Sequence, residues 1–385
     1  MAPTGWNWPK PGPLVLLTGA TGHVGSSTLL RLRQDGYRVR AAVRSEDQVA
    51  SILALLSLEG GSGLTFVVIP DIGKPGAYDE AMKDVTFVIH CASPLATAPK
   101  TDLPAWLYVD HYFRPAVFGT LNILKAAHNA GTVQRIVFTS SLAAILAMDE
   151  LQALRGPIQR EVSEDERVPA PRKPYKDEFE AYVASKIEAL KAAEEWMEEQ
   201  RCRHDPPTFD AVYLHPGFVL GPNHRATRAH QVLRGGNSMI MAILHGFPLG
   251  THPGTTVHVD DVAYAHVKAL DKKHVPGNQS FMLCAPAVWE DTVDIVRKKF
   301  PGAFRASGVP VRESITTFEI NAGTTYTQRI FNFKFASFEE QVESAMRQYL
   351  ELRHEQDRKI QERDFGFVTW VKDPELKAQM VGYRL

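Results

Sequence analysis

Three features of the sequence predict an α/β fold, a doubly wound parallel sheet followed by a smaller C-terminal lobe. Strand-like and helix-like runs alternate from Leu14 to Ser141, the pattern of successive βα units. The first strand and first helix are joined by a glycine-rich turn, Thr18-Gly19-Ala20-Thr21-Gly22-His23-Val24-Gly25. Beyond Pro216 the alternation loosens, so the later residues read as an appended lobe.

Each element has its own signal. Leu14-Val15-Leu16-Leu17 is a short apolar run of the kind buried on both faces of a parallel sheet, and Leu29, Leu30 and Leu32 give Ser26–Arg33 a helical pattern. The turn between them has the spacing G-x-x-G-x-x-G. Gly19 permits the tight turn, Gly22 lets backbone N–H groups approach a pyrophosphate, and Gly25 lets the helix pack close to the strand. Tyr37–Val43 reads as the second strand and ends at Arg44. At that strand end an acid favours a free ribose 2′-hydroxyl, whereas an arginine favours a 2′-phosphate. A helix over Asp47–Leu58 and the turn Gly60-Gly61-Ser62-Gly63 precede a third strand, Leu64–Ile69, which closes on Pro70-Asp71-Ile72.

Ala77–Lys83 reads as a short helix and Val85–His90 as the fourth strand. Cys91-Ala92-Ser93-Pro94 then breaks the strand where a parallel sheet presents its ligand edge. The long segment Trp106–Ala130 has helical periodicity, and Arg135–Thr139 is a fifth strand ending in Ser140-Ser141. Charged residues and prolines mark 148–176 as a surface loop beside the cleft. Asp177 and Glu180 have the spacing of a capping pair for a helix running through Ala181–Gln200. Ala211–Leu214 is a sixth strand, ending at His215-Pro216-Gly217. Arg225–Gly254 reads as irregular connections around a helix, followed by a strand at Thr255–Val259, a helix at Asp260–Leu270, a strand at Gln279–Cys284 and a helix at Trp289–Phe300. Phe338, Val342, Met346 and Tyr349 form a stripe at helical spacing, and the charges of Glu351–Arg363 predict a solvated helix or a disordered segment.

The expected organisation is an arm at 1–13, a Rossmann-type unit at 14–216, a lobe at 217–350 with some segments returning to the sheet, and a charged extension at 351–385. The bulk numbers narrow the partners. With 43 Lys and Arg against 44 Asp and Glu in 385 residues, no net field draws the chain to nucleic acid or to an anionic membrane. Cys91, Cys202 and Cys284 are far apart, which fits free thiols in a reducing compartment. The first residues lack a secretory pattern and no apolar run is long enough to span a bilayer, so a cytoplasmic protein is expected. His258 and His266 with Asp260 and Asp261 complete no metal-ligand set, and no metal is expected.

Chemistry is concentrated at Tyr182 and Lys186, four positions apart and therefore on one helix face. A fixed ammonium beside a phenol stabilises the phenolate and moves the tyrosine pKa toward the working range. The same lysine can reach the ribose of a bound nucleotide. Ser141, on the loop after a neighbouring strand, can hold a carbonyl oxygen against the phenol.

Taken together, the glycine turn, Asp71-Ile72, Val88-Ile-His-Cys-Ala-Ser-Pro94, Val137-Phe-Thr-Ser-Ser141, Tyr182-x-x-Ser-Lys186 and His215-Pro-Gly-Phe-Val-Leu-Gly-Pro222 resemble the extended short-chain dehydrogenase/reductases. The likeness is greatest to the dihydroflavonol reductase, cinnamoyl-CoA reductase and fungal aldehyde/ketone reductase branch, and it runs from about Leu14 to Pro301. The resemblance implies a Ser–Tyr–Lys triad that reduces a small-molecule carbonyl with NADPH (NADP). Tyr182 would be the proton donor, Lys186 its electrostatic partner and ribose anchor, and Ser141, rather than Ser140, the donor to the substrate oxygen. Cofactor contacts are implied for Gly19, Thr21, Gly22, His23, Val24 and Gly25 in the turn. Arg44, Asp71 and Ile72 would serve the adenosine end. Cys91, Ala92, Ser93, Thr139, Tyr182 and Lys186 would line the cofactor cleft, with Pro216 beside the nicotinamide. His215 departs from the asparagine or arginine usual before this proline, and the Ser141–Tyr182 connection is longer than in many relatives. Two rivals share the scaffold: an epimerase or dehydratase that retains NAD, and a non-catalytic NADPH-sensing regulator. A monomer or homodimer is expected.

Overall fold

The computed structural model describes residues 12–56, 63–94, 104–154, 156–302 and 315–361. Its N-terminal half contains β1 (Leu14–Thr18), α1 (His23–Gln34), β2 (Arg38–Val43), α2 (Asp47–Leu56), β3 (Leu64–Val68), β4 (Phe87–His90), α3 (Arg114–Ala130), β5 (Arg135–Thr139) and α4 (Met148–Leu151). There follow β6 (Ile158–Val162), α5 (Glu178–Arg201), β7 (Asp210–Pro216), β8 (Phe218–Leu220), α6 (Ala229–Val232), α7 (Asn237–Leu244), β9 (Gly250–Pro253), β10 (Thr255–His258) and α8 (Val259–Lys268). The last elements are β11 (Gln279–Leu283), β12 (Ala285–Pro286), α9 (Thr292–Lys299), β13 (Ile315–Phe318), β14 (Ile320–Ala322) and the helices Thr325–Phe331 and Phe338–Gln361.

Seven strands form one sheet in the order β3-β2-β1-β4-β5-β7-β11, every neighbouring pair parallel. From β1 the chain first builds outward through β2 and β3, then crosses back to β4 and builds the other way. The reversal lies between β1 and β4, where Thr18 pairs with His90 at the carboxyl ends of the strands. Such a switch point leaves a crevice open to a ligand.

Both faces of the sheet are covered, which is why a central strand such as β1 reads as a nearly unbroken apolar run. On one face Leu16, Val88, Ile136 and Phe138 pack with Ile123 and Leu124 of α3 and Leu190 and Trp196 of α5. On the other, Val15, Leu17, Val137 and Leu214 pack with Leu29 and Leu32 of α1 and Val262 and Ala265 of α8. A third cluster lies apart from the sheet. It joins Ile240 and Ile243 of α7, Trp289, Val293 and Val296 with Phe338, Val342, Met346 and Tyr349 of the last helix, whose predicted stripe is buried.

Four sequence expectations are corrected. Residues 77–83 form consecutive turns and not a helix, because Gly76 adopts a φ of 74° and Asp84 one of 61°, leaving too short a stretch between them. Trp106–Ala130 is not one helix: a 3₁₀ turn at Ala105–Leu107 and a wide turn at Val109–Phe113 precede α3. Pro115 in its first turn has no N–H to continue a regular ladder upstream. The 148–176 excursion is more than a loop, since it contains α4 and β6, and β6 pairs in parallel with β14. Finally, Arg225–Gly254 holds two helices and β9, which pairs with β13. Residues 1–11, the Gly60-Gly61-Ser62 part of the predicted turn and residues 362–385 of the predicted extension lie outside the described residues. Among the described residues, no helix is long and apolar enough to cross a membrane.

Candidate active site

The crevice is shaped first by backbone. Gly19 has a φ of 70°, and a Cβ there would lie 2.8 Å from both the Ala92 nitrogen and the Cys91 carbonyl carbon. The turn closes with Gly22 N–H donating to the Gly19 carbonyl at 2.9 Å. Gly22 is also the N-cap of α1; it offers no side-chain cap, and the first turn of the helix has no acidic residue. The positive end of α1 therefore faces the crevice without an anionic side chain of its own. Thr18 ties the two central strands together, its hydroxyl accepting from Ala92 N–H at 3.1 Å and lying 2.9 Å from His90 Nδ1. A glycine cradle of this shape, ending at an uncovered helix N-terminus, fits a dinucleotide diphosphate.

The flank of the crevice at β2 and β3 carries the residues expected at the adenosine end. Arg44 is exposed, its backbone N–H held by Gln48 Oε1 at 2.9 Å, and its side chain has no partner among the described residues. Asp71 is exposed and accepts from Gly73 N–H at 2.8 Å. The segment is pinned by Asn122 of α3, whose amide donates to the carbonyls of Ile72 at 3.0 Å and Lys74 at 2.8 Å. Gly119, one turn earlier on α3, makes room for Ile72: a Cβ there would sit 3.0 Å from its Cδ1. Asn122 was not singled out from the sequence. Its signal is a buried amide within an otherwise apolar helix face.

Tyr182 and Lys186 project from α5, whose start is fixed by Asp177 accepting from Glu180 N–H at 2.8 Å. The Lys186 ammonium lies 5.6 Å from the centre of the Tyr182 ring and donates to Ser93 Oγ at 3.0 Å. Ser141 follows β5, caps a 3₁₀ turn by accepting from Ala143 N–H at 3.1 Å, and sets its hydroxyl beside the Tyr182 phenol. Ser140 instead continues the sheet, its N–H donating to the Leu214 carbonyl at 2.7 Å. Thus Ser141, Tyr182, Lys186 and Ser93 converge from three elements.

The electrostatics differ from the sequence expectation. Burial pushes the Tyr182 pKa up, with the Ser141 hydroxyl pulling the other way, so the phenol stays protonated at neutral pH. Burial also lowers Lys186 to about 8, the Cys91 thiol opposing the shift. Desolvation therefore outweighs the anticipated stabilisation of a phenolate.

Around this group lies a set of buried histidines. His266 on α8, lowered to about 4 by burial, donates from Nδ1 to the Val262 carbonyl at 2.7 Å. Its Nε2 then accepts from the Thr139 hydroxyl at 2.7 Å, and Thr139 in turn lies beside the Cys91 thiol. His258 is engaged differently: Nδ1 accepts from Asp260 N–H at 3.1 Å and Nε2 lies 2.9 Å from Ser344 Oγ. Neither imidazole is aimed at a shared site, and among the described residues no group of ligating side chains could hold a metal. His215 is fully buried next to Pro216 and against the Ser141 backbone, and burial lowers it to about 3. It is a neutral ring under the Ser141 loop. Pro216 ends β7 at the edge of the crevice, where Gly217 packs so closely that a Cβ would meet the Thr255 carbonyl oxygen at 2.7 Å.

The lobe after Pro216 reaches back to the glycine turn. His23 donates from Nε2 to the Pro222 carbonyl at 3.0 Å, and the Arg225 guanidinium donates to the Thr21 carbonyl and, at 2.7 Å, to Ser51 Oγ on α2. Val24 packs against the cluster on the α1 face.

Comparison with known proteins bears on the fold and the family. The family model described as "NAD dependent epimerase/dehydratase family" matches residues 15–284. A ketoreductase of Cercospora nicotianae is 35% identical over 358 residues, covering 88% of this chain and 95% of its own. An NAD-dependent epimerase/dehydratase of Alternaria alternata is 32% identical over 370 residues, covering 88% and 98%. Among solved structures, the yeast methylglyoxal/isovaleraldehyde reductase complexed with NADPH superposes with a TM-score of 0.74 at 24% identity, covering 89% of this chain and 99% of that one.

Proposed function

The chain belongs to the NAD dependent epimerase/dehydratase family of extended short-chain dehydrogenase/reductases, and from that premise we propose that it is an NADPH-dependent reductase of a ketone or aldehyde. One observation carries the reading: the Ser141 hydroxyl beside the Tyr182 phenol, with the Lys186 ammonium behind it, at the mouth of the switch-point crevice.

In this reading the glycine turn and the N-terminus of α1 would hold the diphosphate, Asp71 and Ile72 the adenine, and Arg44 the 2′-phosphate. Thr139, Pro216, Lys186 and the Cys91–Ser93 segment would hold the rest of the cofactor, toward the nicotinamide. When bound there, NADPH would supply the hydride for the carbonyl carbon. Tyr182 transfers its hydroxyl proton to the carbonyl oxygen as the C=O bond becomes C–OH, and Ser141 donates a hydrogen bond to that oxygen. The phenolate left on Tyr182 is stabilised by Lys186 until solvent returns a proton. A donor must carry its proton at working pH, and the upward shift of Tyr182 supports that role. The ketoreductase and methylglyoxal reductase names of the relatives support a carbonyl substrate.

The test follows NADPH absorbance with a panel of aldehydes and ketones, on the parent and on Tyr182→Phe. Carbonyl-dependent oxidation that the variant loses supports the reading. Isomerisation or dehydration of a substrate with no net change in nicotinamide would instead establish the epimerase/dehydratase alternative.

A further inference from the structure

We propose that Arg225, contributed by the lobe after Pro216, is a second 2′-phosphate ligand that works with Arg44 to select NADPH over NADH. This rests on the cofactor reading above and extends it to a residue outside the dinucleotide-binding half of the chain.

The position is the first argument. The guanidinium donates to Thr21 of the glycine turn and to Ser51 of α2, 204 and 174 residues away in sequence. It therefore bridges the glycine turn to the helix that follows Arg44. That is where the general architecture of this fold sets the adenosine ribose, between the first turn and the end of the second strand.

The second argument is charge. Both acceptors are neutral, and Arg225 has no carboxylate partner among the described residues. Its Nε is buried without a hydrogen-bond partner. Burial and the neighbouring charge of Arg234 both disfavour its cationic form. Arg234 and Arg44 likewise lack a carboxylate partner among the described residues. A partly desolvated guanidinium with donors to spare, near a second arginine, is matched by a multiply charged anion with several acceptor oxygens, and a phosphomonoester is such a group.

The third is that Arg225 is not the only tie between lobe and turn. His23 independently holds the Pro222 carbonyl. A neutral replacement at 225 therefore leaves the loop attached, and the loss of the charge can be read by itself.

The experiment titrates NADPH, NADH, adenosine 2′,5′-bisphosphate and 5′-AMP calorimetrically into the parent, Arg225→Met and Arg225→Lys, with thermal unfolding of each protein as a check on folding. Loss of one charge-assisted pair predicts that Arg225→Met weakens NADPH and the bisphosphate by about tenfold to hundredfold, and NADH and 5′-AMP by less than about threefold. Arg225→Lys should recover part of the loss. Equal losses for NADPH and NADH, or no loss for either, overturn the proposal, since the guanidinium would then serve the diphosphate or merely hold the turn. Equal affinity of the parent for NADPH and NADH overturns the NADPH reading itself, a result read before any variant is made.

Discussion

Gly25→Ala is the smallest change that should disable the crevice without touching a reacting group. A Cβ at residue 25 would lie 2.0 Å from the Gly19 carbonyl oxygen, 2.7 Å from the Gly19 carbonyl carbon and 3.1 Å from the Ala20 Cα. The first distance is about 1.4 Å short of ordinary contact, and all three neighbours are backbone or Cα atoms that cannot swing aside. Either α1 moves outward by about that amount or the turn opens. Since Gly19 is itself fixed against Ala92 and Cys91, opening the turn pushes into β4, so the displacement should fall on α1. Overpacking of this kind is worth about 1–3 kcal/mol of stability, and Leu29 and Leu32 of α1 would lose part of their packing as well. The N–H groups at the start of α1 would move by a large fraction of a hydrogen-bond length, so nucleotide affinity should fall by about tenfold to a hundredfold. Calorimetric titration with NADPH, paired with urea unfolding, measures both effects. A Gly25→Ala protein that binds NADPH as tightly as the parent would refute the close-packed arrangement of turn and helix.

Further outcomes follow from the same structure. Tyr182→Phe should lower turnover by about two to four orders of magnitude with NADPH affinity nearly unchanged; retained turnover would remove Tyr182 as proton donor. Arg44→Ala should reduce kcat/KM with NADPH by about tenfold to a hundredfold and leave that with NADH almost unaltered, whereas equal losses would reject 2′-phosphate recognition at this residue. Arg135→Met removes a fully buried guanidinium that pairs with Asp210 and donates to the carbonyls of Ala269 and Val275. Asp210 keeps some solvent contact and has Lys272 at 3.5 Å, so about 3 kcal/mol, the lower end for a broken buried pair, should be lost in urea unfolding; a loss below about 1 kcal/mol would contradict this.

The sheet was legible because burial on both faces writes itself into the strands. Leu14–Leu17 and Arg135–Thr139 are apolar or β-branched nearly throughout, and no other arrangement of short runs separated by helices buries them so completely. The pairing of Tyr182 with Lys186 was legible for a different reason: they share a helix, so their spacing alone places them on one face. Where contacts join distant segments, sequence pattern carries less. Nothing around Ile158–Val162 announces a strand among prolines and charges, because its partner, β14, lies far along the chain. Arg225 is similar, an arginine in a loop until the fold brings it to Thr21. The Lys186 pKa was also out of reach, since the direction of its shift depends on how completely the ammonium is desolvated.

That desolvation has a catalytic consequence with a definite sign. Lys186 is buried with one neutral acceptor, Ser93 Oγ, and its pKa falls to about 8. A lowered lysine is charged below its folded pKa and loses the charge as pH rises through it, so its field at Tyr182 is present at pH 7 and gone by about pH 9 to 10. The phenol moves the opposite way, with its pKa raised by burial, and therefore remains protonated across that whole interval. On the proposed mechanism, proton donation should therefore fail on the alkaline side through loss of the ammonium that stabilises the nascent phenolate, before the tyrosine itself titrates. In kcat/KM for carbonyl reduction this should produce an alkaline limb centred near pH 8. Lys186→Met should have low activity and no such limb, while Lys186→Arg, charged throughout, should shift the limb upward wherever it retains measurable turnover. A parent profile flat to pH 10 would mean that the charge on Lys186 does not control the proton transfer.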